Sequence, residues 1–184
     1  MERTKKPQEP TIIAFDPSFT GWGWAVISLD EEVIASGCIK TEPLYSKLKI
    51  RKGDDTNRRI NELNQELLEA MKVNNVKAIV SEQPHGSQNA SAAKMIGIVL
   101  GMIQTYADIF EMPIEWYSEG DCKKCTLGKR AATKEETIVK MTELYNISIN
   151  HLPKYQKEAI ADAMQVYHTA KMTGTLIKML KMTR

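Results

Sequence analysis

"TIIAFDPSFTGWGWAVISL", residues 11–29, sets one acid, Asp16, at the end of an apolar strand and follows it at once with a turn. Ile12 to Phe15 read as a short buried strand. Pro17 holds Asp16 in extended backbone and blocks a helix at that point. Gly21 and Gly23 permit tight turning into a second strand, Trp22 to Leu29. After the turn residues LDEE, Val33 to Ile39 form a third. The short connections predict an antiparallel meander.

Residues 40–56 read as an irregular basic segment. NRRINELNQELLEAMKV (residues 57–73) places Ile60, Leu63, Leu67 and Met71 at helical spacing. Val76 to Pro84 is apolar enough for a strand buried on both faces. Gln88 to Phe110 predicts a long helix and Pro113 to Ser118 a fifth strand. Thr133 with Glu136 forms a capping box that opens another helix. A last helix runs from about Lys154 to Lys171, with Pro153 near its start. The order β-β-β-α-β-α-β-α-α predicts an α/β fold with one mixed five-stranded sheet, helices on both faces. Residues 11–172 form the domain, 1–10 a disordered tail without signal-peptide character, and 173–184 a basic C-terminal tail.

The 184 residues suffice for one sizeable core, and 42% hydrophobic with 26% charged residues is a globular composition. The longest apolar run, near Met95–Ile103, is too short to span a bilayer. Three cysteines, an odd number, fit a reducing compartment better than a disulfide framework. Net charge is only +2, but basic residues cluster. Lys47, Lys49, Arg51 and Lys52 form one group; Lys123, Lys124, Lys129 and Arg130 form a second. Solvated loops are the plain reading of such runs; a polyanion touched at selected places is the other.

Acids recur at telling positions. Asp16 and Glu82 each end a strand, and ligand sites gather at the carboxyl ends of parallel strands. Glu158 and Asp162 lie four residues apart, about 40° around one helix. With no basic partner at i+4, the two repel unless a cation sits between them. An all-oxygen set of this kind suits Mg²⁺ or Mn²⁺ rather than zinc. The Cys122–Cys125 pair, CKKC, has no second pair with which to build a zinc site. Ala93, Gly97 and Gly101 recur every four residues on the long helix and permit close approach of another element.

Four segments in order resemble the RuvC family of Holliday-junction resolvases, which have the RNase H-like fold: AFDPSFTGWGWAVI (14–27), VSEQPHGSQNASAAKMIGIVLGMI (80–103), CKKCTLGKRAATKEETIVKM (122–141) and KEAIADAMQVYHTA (157–170). The resemblance implies a homodimer that binds four-way DNA junctions and nicks them symmetrically with two Mg²⁺ ions, for which Mn²⁺ can substitute. Asp16, Glu82 and Asp162 fall on three of the family's four catalytic acids. The fourth position is Ala159 here, with Glu158 the available substitute. His85 stands where the family often carries an aromatic wedge. Lys123, Lys124, Lys129, Arg130 and Lys134 fall in the family's basic segment and are expected, with the Lys47–Lys52 group, to hold phosphates. A cytoplasmic setting, bacterial or in a phage-infected cell, goes with that reading. A broader branched-DNA, flap or RNase H-type nuclease and a non-catalytic junction-binding protein are the alternatives. A sugar-kinase or actin-like ATPase would need a duplicated domain and a second phosphate hairpin, which this chain lacks.

Overall fold

The computed structural model describes residues 9–183; most of the expected N-terminal tail lies outside them. Three strands, β1 (Thr11–Asp16), β2 (Gly21–Ser28) and β3 (Val33–Lys40), form the expected antiparallel meander. Helix α1 (Tyr45–Leu48) and helix α2 (Lys52–Val73) lead to β4 (Val76–Glu82), which pairs parallel with β1. Helix α3 (Ala90–Ile109) then leads to β5 (Ile114–Tyr117), parallel to β4. The sheet order is β3-β2-β1-β4-β5. Four helices complete the chain: α4 (Glu119–Leu127), α5 (Lys134–Tyr145), α6 (Lys154–Thr173) and α7 (Leu176–Met182).

Alternation along the strands splits the core in two. Ile13 and Phe15 of β1 and Ile79 of β4 face α2 and α3, where Leu63, Leu67, Val99 and Ile103 close over them. Ile12, Ala14 and Val80 face the other way, onto Ile160, Met164 and Tyr167 of α6 and Met141 of α5. The same period puts the next two acids on the α6 side: Asp16 follows Ala14, and Glu82 follows Val80. Because Phe15 pairs with Ser81, Asp16 and Glu82 emerge side by side at one edge.

Three expectations are corrected. The 40–56 segment is not irregular throughout: α1 and the first turn of α2 occupy much of it. Asp55 is the reason, since its buried carboxylate accepts from the Leu44 backbone N–H and from Arg58. The basic segment at 122–125 is not a loop but lies on α4, which Ser118 caps by accepting from the Asp121 N–H. Most of the expected basic C-terminal tail is helix: α7 docks on the domain and buries Leu176 and Ile177. Among the described residues no helix is long and apolar enough to cross a membrane.

Glu115 of β5 holds α7 in place. Its carboxylate accepts from the Thr175 N–H (3.0 Å), the Leu176 N–H (2.9 Å), the Thr175 hydroxyl and the Tyr117 hydroxyl. A Cβ on Gly174 would overlap the Ala170 backbone carbonyl as well as the Tyr117 hydroxyl and the Glu115 carboxylate, so a side chain there would disturb the turn into α7 and its latch. Burial pushes the Glu115 pKa up, but these hydrogen bonds outweigh burial and hold it below its ordinary value. Stability from the latch is therefore present above the unfolded-state pKa and lost as pH falls through the lower folded value. Glu115→Ala should destabilise the protein by about 1–2 kcal/mol and speed amide exchange in residues 174–182. Unchanged exchange there would show that α7 docks without the latch.

Candidate active site

Asp16 ends β1, Glu82 ends β4, and Asp162 lies in the middle of α6. What brings the helix acid to the strand acids is a close approach of α6 to β2. A Cβ on Gly23 would overlap the Ala159 carbonyl oxygen and carbon, and Gly23 pairs with Asp16 across the sheet. Helix α6 thus rests backbone to backbone on β2, one turn from Asp162. Ala159, whose backbone makes this contact, is buried.

The acids press on one another. Burial raises the Asp16 pKa well above its ordinary value, and the charges of Asp162 and Glu82 raise it further. Burial, with Glu119 and Asp162, raises Glu82 to about 7. Asp162 is also raised, by burial, against the opposing pull of Lys134. The Lys134 ammonium is hydrogen-bonded to the Asp162 carboxylate. Burial disfavours its charge, but Asp162, Asp16 and Glu119 outweigh that and raise its pKa. One ammonium thus serves several carboxylates. Lys134 reaches Asp162 from a different helix, α5, whereas the ammonium nearest Glu158 is that of Lys154 on α6 itself.

Glu158 lines the same cleft as Asp16 and Asp162 but sits at its rim, 3.7 Å from Lys154. Glu119, which sequence reasoning passed over, acts on Asp16, Glu82 and Asp162 alike. It follows β5 as Asp16 ends β1 and Glu82 ends β4, so the strand-end signal was available. Glu119 accepts from the Lys123 ammonium at 2.6 Å, which lowers its pKa, and Lys123 is largely buried there. His85 is exposed in the following loop, near enough to Glu119 to lower its pKa.

The remaining basic candidates stand apart. Lys124 is exposed on α4. Lys129 pairs with Glu136 at 2.5 Å and Arg130 with Asp121 at 3.1 Å. Lys47, Lys49, Arg51 and Lys52 are exposed at α1 and the start of α2, and none lines the acid cleft. Ala93 and Gly97 and Gly101 are exposed on α3, with open space over both glycines, so this face does not pack on the chain's own sheet.

All donors at the cluster are carboxylate oxygens, the chemistry of a hard divalent cation. Among the described residues no three such side chains stand close enough to ligate one ion while Lys134 holds Asp162. The donor set, all carboxylate oxygens that raise one another's pKa, is of the type such an ion takes.

A family profile described as crossover junction endodeoxyribonuclease RuvC matches residues 12–168. The chain belongs to the RuvC family. A RuvC of Ehrlichia ruminantium is 25% identical over 161 residues, covering 84% of this chain and 92% of that protein. One from Chlamydia muridarum is 24% identical, covering 83% and 85%. Among solved structures, Thermus thermophilus RuvC in complex with a Holliday junction substrate superposes with a TM-score of 0.70 at 20% identity, over 89% of this chain and 96% of that one. The yeast mitochondrial Holliday junction resolvase Ydc2 gives 0.56 at 15% identity, over 97% and 87%. These two establish the α/β RuvC fold, in agreement with the sheet expected from sequence.

The raised acid pKa values have a consequence in metal-free protein. Glu82 titrates near 7 when folded and near its ordinary value when unfolded, so folding binds a proton between those limits. Its protonated form contributes stability below about 4.5, and that contribution is lost as pH rises through about 7. In EDTA, the Tm difference between wild type and Glu82→Gln should widen, in favour of the variant, from pH 5 to pH 8. A constant difference would show that Glu82 is not strained by its neighbours.

Proposed function

We propose that this RuvC-family chain is a four-way junction resolvase in which Asp16, Glu82 and Asp162 bind Mg²⁺ and hydrolyse phosphodiester bonds. The observation that carries the reading is the convergence of these three acids, from two strands and a helix, at one end of the sheet. Held by these acids, divalent ions would supply activation of water and neutralisation of charge at the departing 3′-oxygen. Asp16, Glu82 and Asp162 would hold the ions, and Glu158, which lines the same cleft, would assist in place of the family's acid at 159. Glu119 keeps the Lys123 ammonium at the edge of the cluster, where it meets the scissile phosphate. Lys134, released from Asp162, adds a second ammonium on the transferring group.

Lys124, Lys129, Arg130 and His85 extend the DNA-contacting surface along α4 and the loop after β4. The exposed Lys47–Lys52 group, away from the cleft, contacts a more distant duplex arm. The small-residue face of α3 pairs with a second copy, giving two active sites for paired nicks. Sedimentation at micromolar concentration should show a dimer, and a monomer there would remove this pairing.

The catalytic assignment has a direct test. Asp16→Asn should bind a synthetic four-way junction as wild type does and lose nicking by at least a thousandfold in Mg²⁺. Retained nicking would remove Asp16 from the chemistry. In the same background, Lys124→Ala should weaken binding and lower the slope of log K against log salt by about one; an unchanged slope would take Lys124 off the phosphate path. Forks, flaps and RNA–DNA hybrids run beside the junction separate the broader nuclease from the resolvase.

A further inference from the structure

The cleft that contains Asp16 and Asp162 has a volume of about 500 Å³, within the range of ligand pockets. Two of its lining residues, Tyr155 and Lys40, have no part in the chemistry above. Tyr155 is 42% exposed and packs into neither half of the core. It lies at the start of α6, seven residues before Asp162. Seven residues are nearly two turns, so both side chains leave the same side of the helix, about 10 Å apart along its axis. The Lys40 ammonium lies 5.4 Å from the Tyr155 ring centroid. It also pairs with Glu42 at 2.6 Å, with both side chains more than half exposed. Exposed pairs of this kind contribute little to stability, so a phosphate can replace Glu42 there. Gly21 leaves open space beside them.

An accessible ring with an ammonium at its face, beside acids that handle a phosphodiester, matches one nucleotide of a strand: a base for the ring and a phosphate for the ammonium. We propose that Tyr155 stacks on a DNA base within about three nucleotides of the scissile phosphate, and that Lys40 binds the backbone phosphate beside that base. This platform fixes the strand's register relative to the acids. It holds an unpaired or splayed base, since stacking on a side chain needs a base face free of its neighbour. The inference rests on the nuclease reading, and the experiment separates the two.

The cut is first mapped with Mg²⁺. Four-way junctions then carry 2-aminopurine, one position at a time, at the three nucleotides on either side of it, and are bound by the full chain in EDTA. Wild type and Tyr155→Phe should change the fluorescence at one of these positions, and Tyr155→Leu should abolish that change while melting at the wild-type temperature. Tyr155→Leu should weaken binding about tenfold, the effect of losing one base–aromatic stack. An abasic site at the responsive position should weaken wild-type binding by a similar factor and erase the difference between wild type and Tyr155→Leu. Lys40→Ala should lower the salt slope by about one on intact and abasic junctions alike. A fluorescence change that survives in Tyr155→Leu, or a defect that persists on the abasic junction, overturns the platform. The abasic comparison on wild-type protein needs no variant, and no weakening at any of the six positions overturns it too. Failure of wild type to bind branched DNA at all defeats the nuclease reading, and the platform with it.

Discussion

The site depends on one steric fact: at Gly23 the sheet has no side chain, so α6 can lie directly on β2. Any Cβ there would strike the Ala159 carbonyl, and interiors packed at crystal-like density cannot absorb such an overlap without moving an element. The helix would have to lift, and Asp162 with it. The two strand acids need no comparable device, because pleat and register alone set Asp16 and Glu82 side by side on the face that α6 covers. One residue without a side chain thus turns two sequence-distant acids into three.

That geometry works against stability unless its charge is met. Buried carboxylates that raise each other's pKa favour the protonated or cation-bound form. Without an ion, the Lys134 ammonium meets part of the charge through Asp162. Arg59 supports the turn that follows Asp16 from the other face. Its guanidinium stacks on Phe19 at 4.3 Å and donates to the Phe19 carbonyl and the Thr41 hydroxyl. Buried and charged, Arg59 ties α2, the end of β3 and the Asp16 turn into one unit, so the acid edge is held from both faces of the sheet.

The strands and strand-end acids were legible because period-2 alternation and turn residues are local signals. The capping box at Thr133 was legible for the same reason, and Thr133 and Glu136 do satisfy each other's backbone donors. What escaped was set by distant partners. Helix α7 looks like a basic tail in KMLKM, yet it docks because Glu115, some sixty residues earlier, accepts its first amides. Helix α4 buries only Cys122 and Thr126, too few apolar positions to give a period. Helix α1 has no buried residue at all. Glu119 carries the strand-end signal less plainly than Asp16 or Glu82, because it stands two residues past Tyr117 at the start of a helix that the sequence did not announce, and the fold is what sets that start beside Glu82.

The net charge of only +2 is poor at first sight for a DNA-binding chain, and several of the basic residues proposed to hold phosphates are already paired with acids. Lys123 lies on Glu119, Lys129 on Glu136, Arg130 on Asp121 and Lys134 on Asp162. Two of these four carboxylates, Asp162 and Glu119, belong to the acid cluster. In the proposed reading, a divalent ion that takes Asp162 frees Lys134 for a phosphate, and a phosphate that takes Lys134 frees Asp162 for the ion. Each ligand then removes the other's competitor, and by linkage the help is mutual. On that reading, the DNA strand that draws the lysines away is also what lets the acids close on the ion.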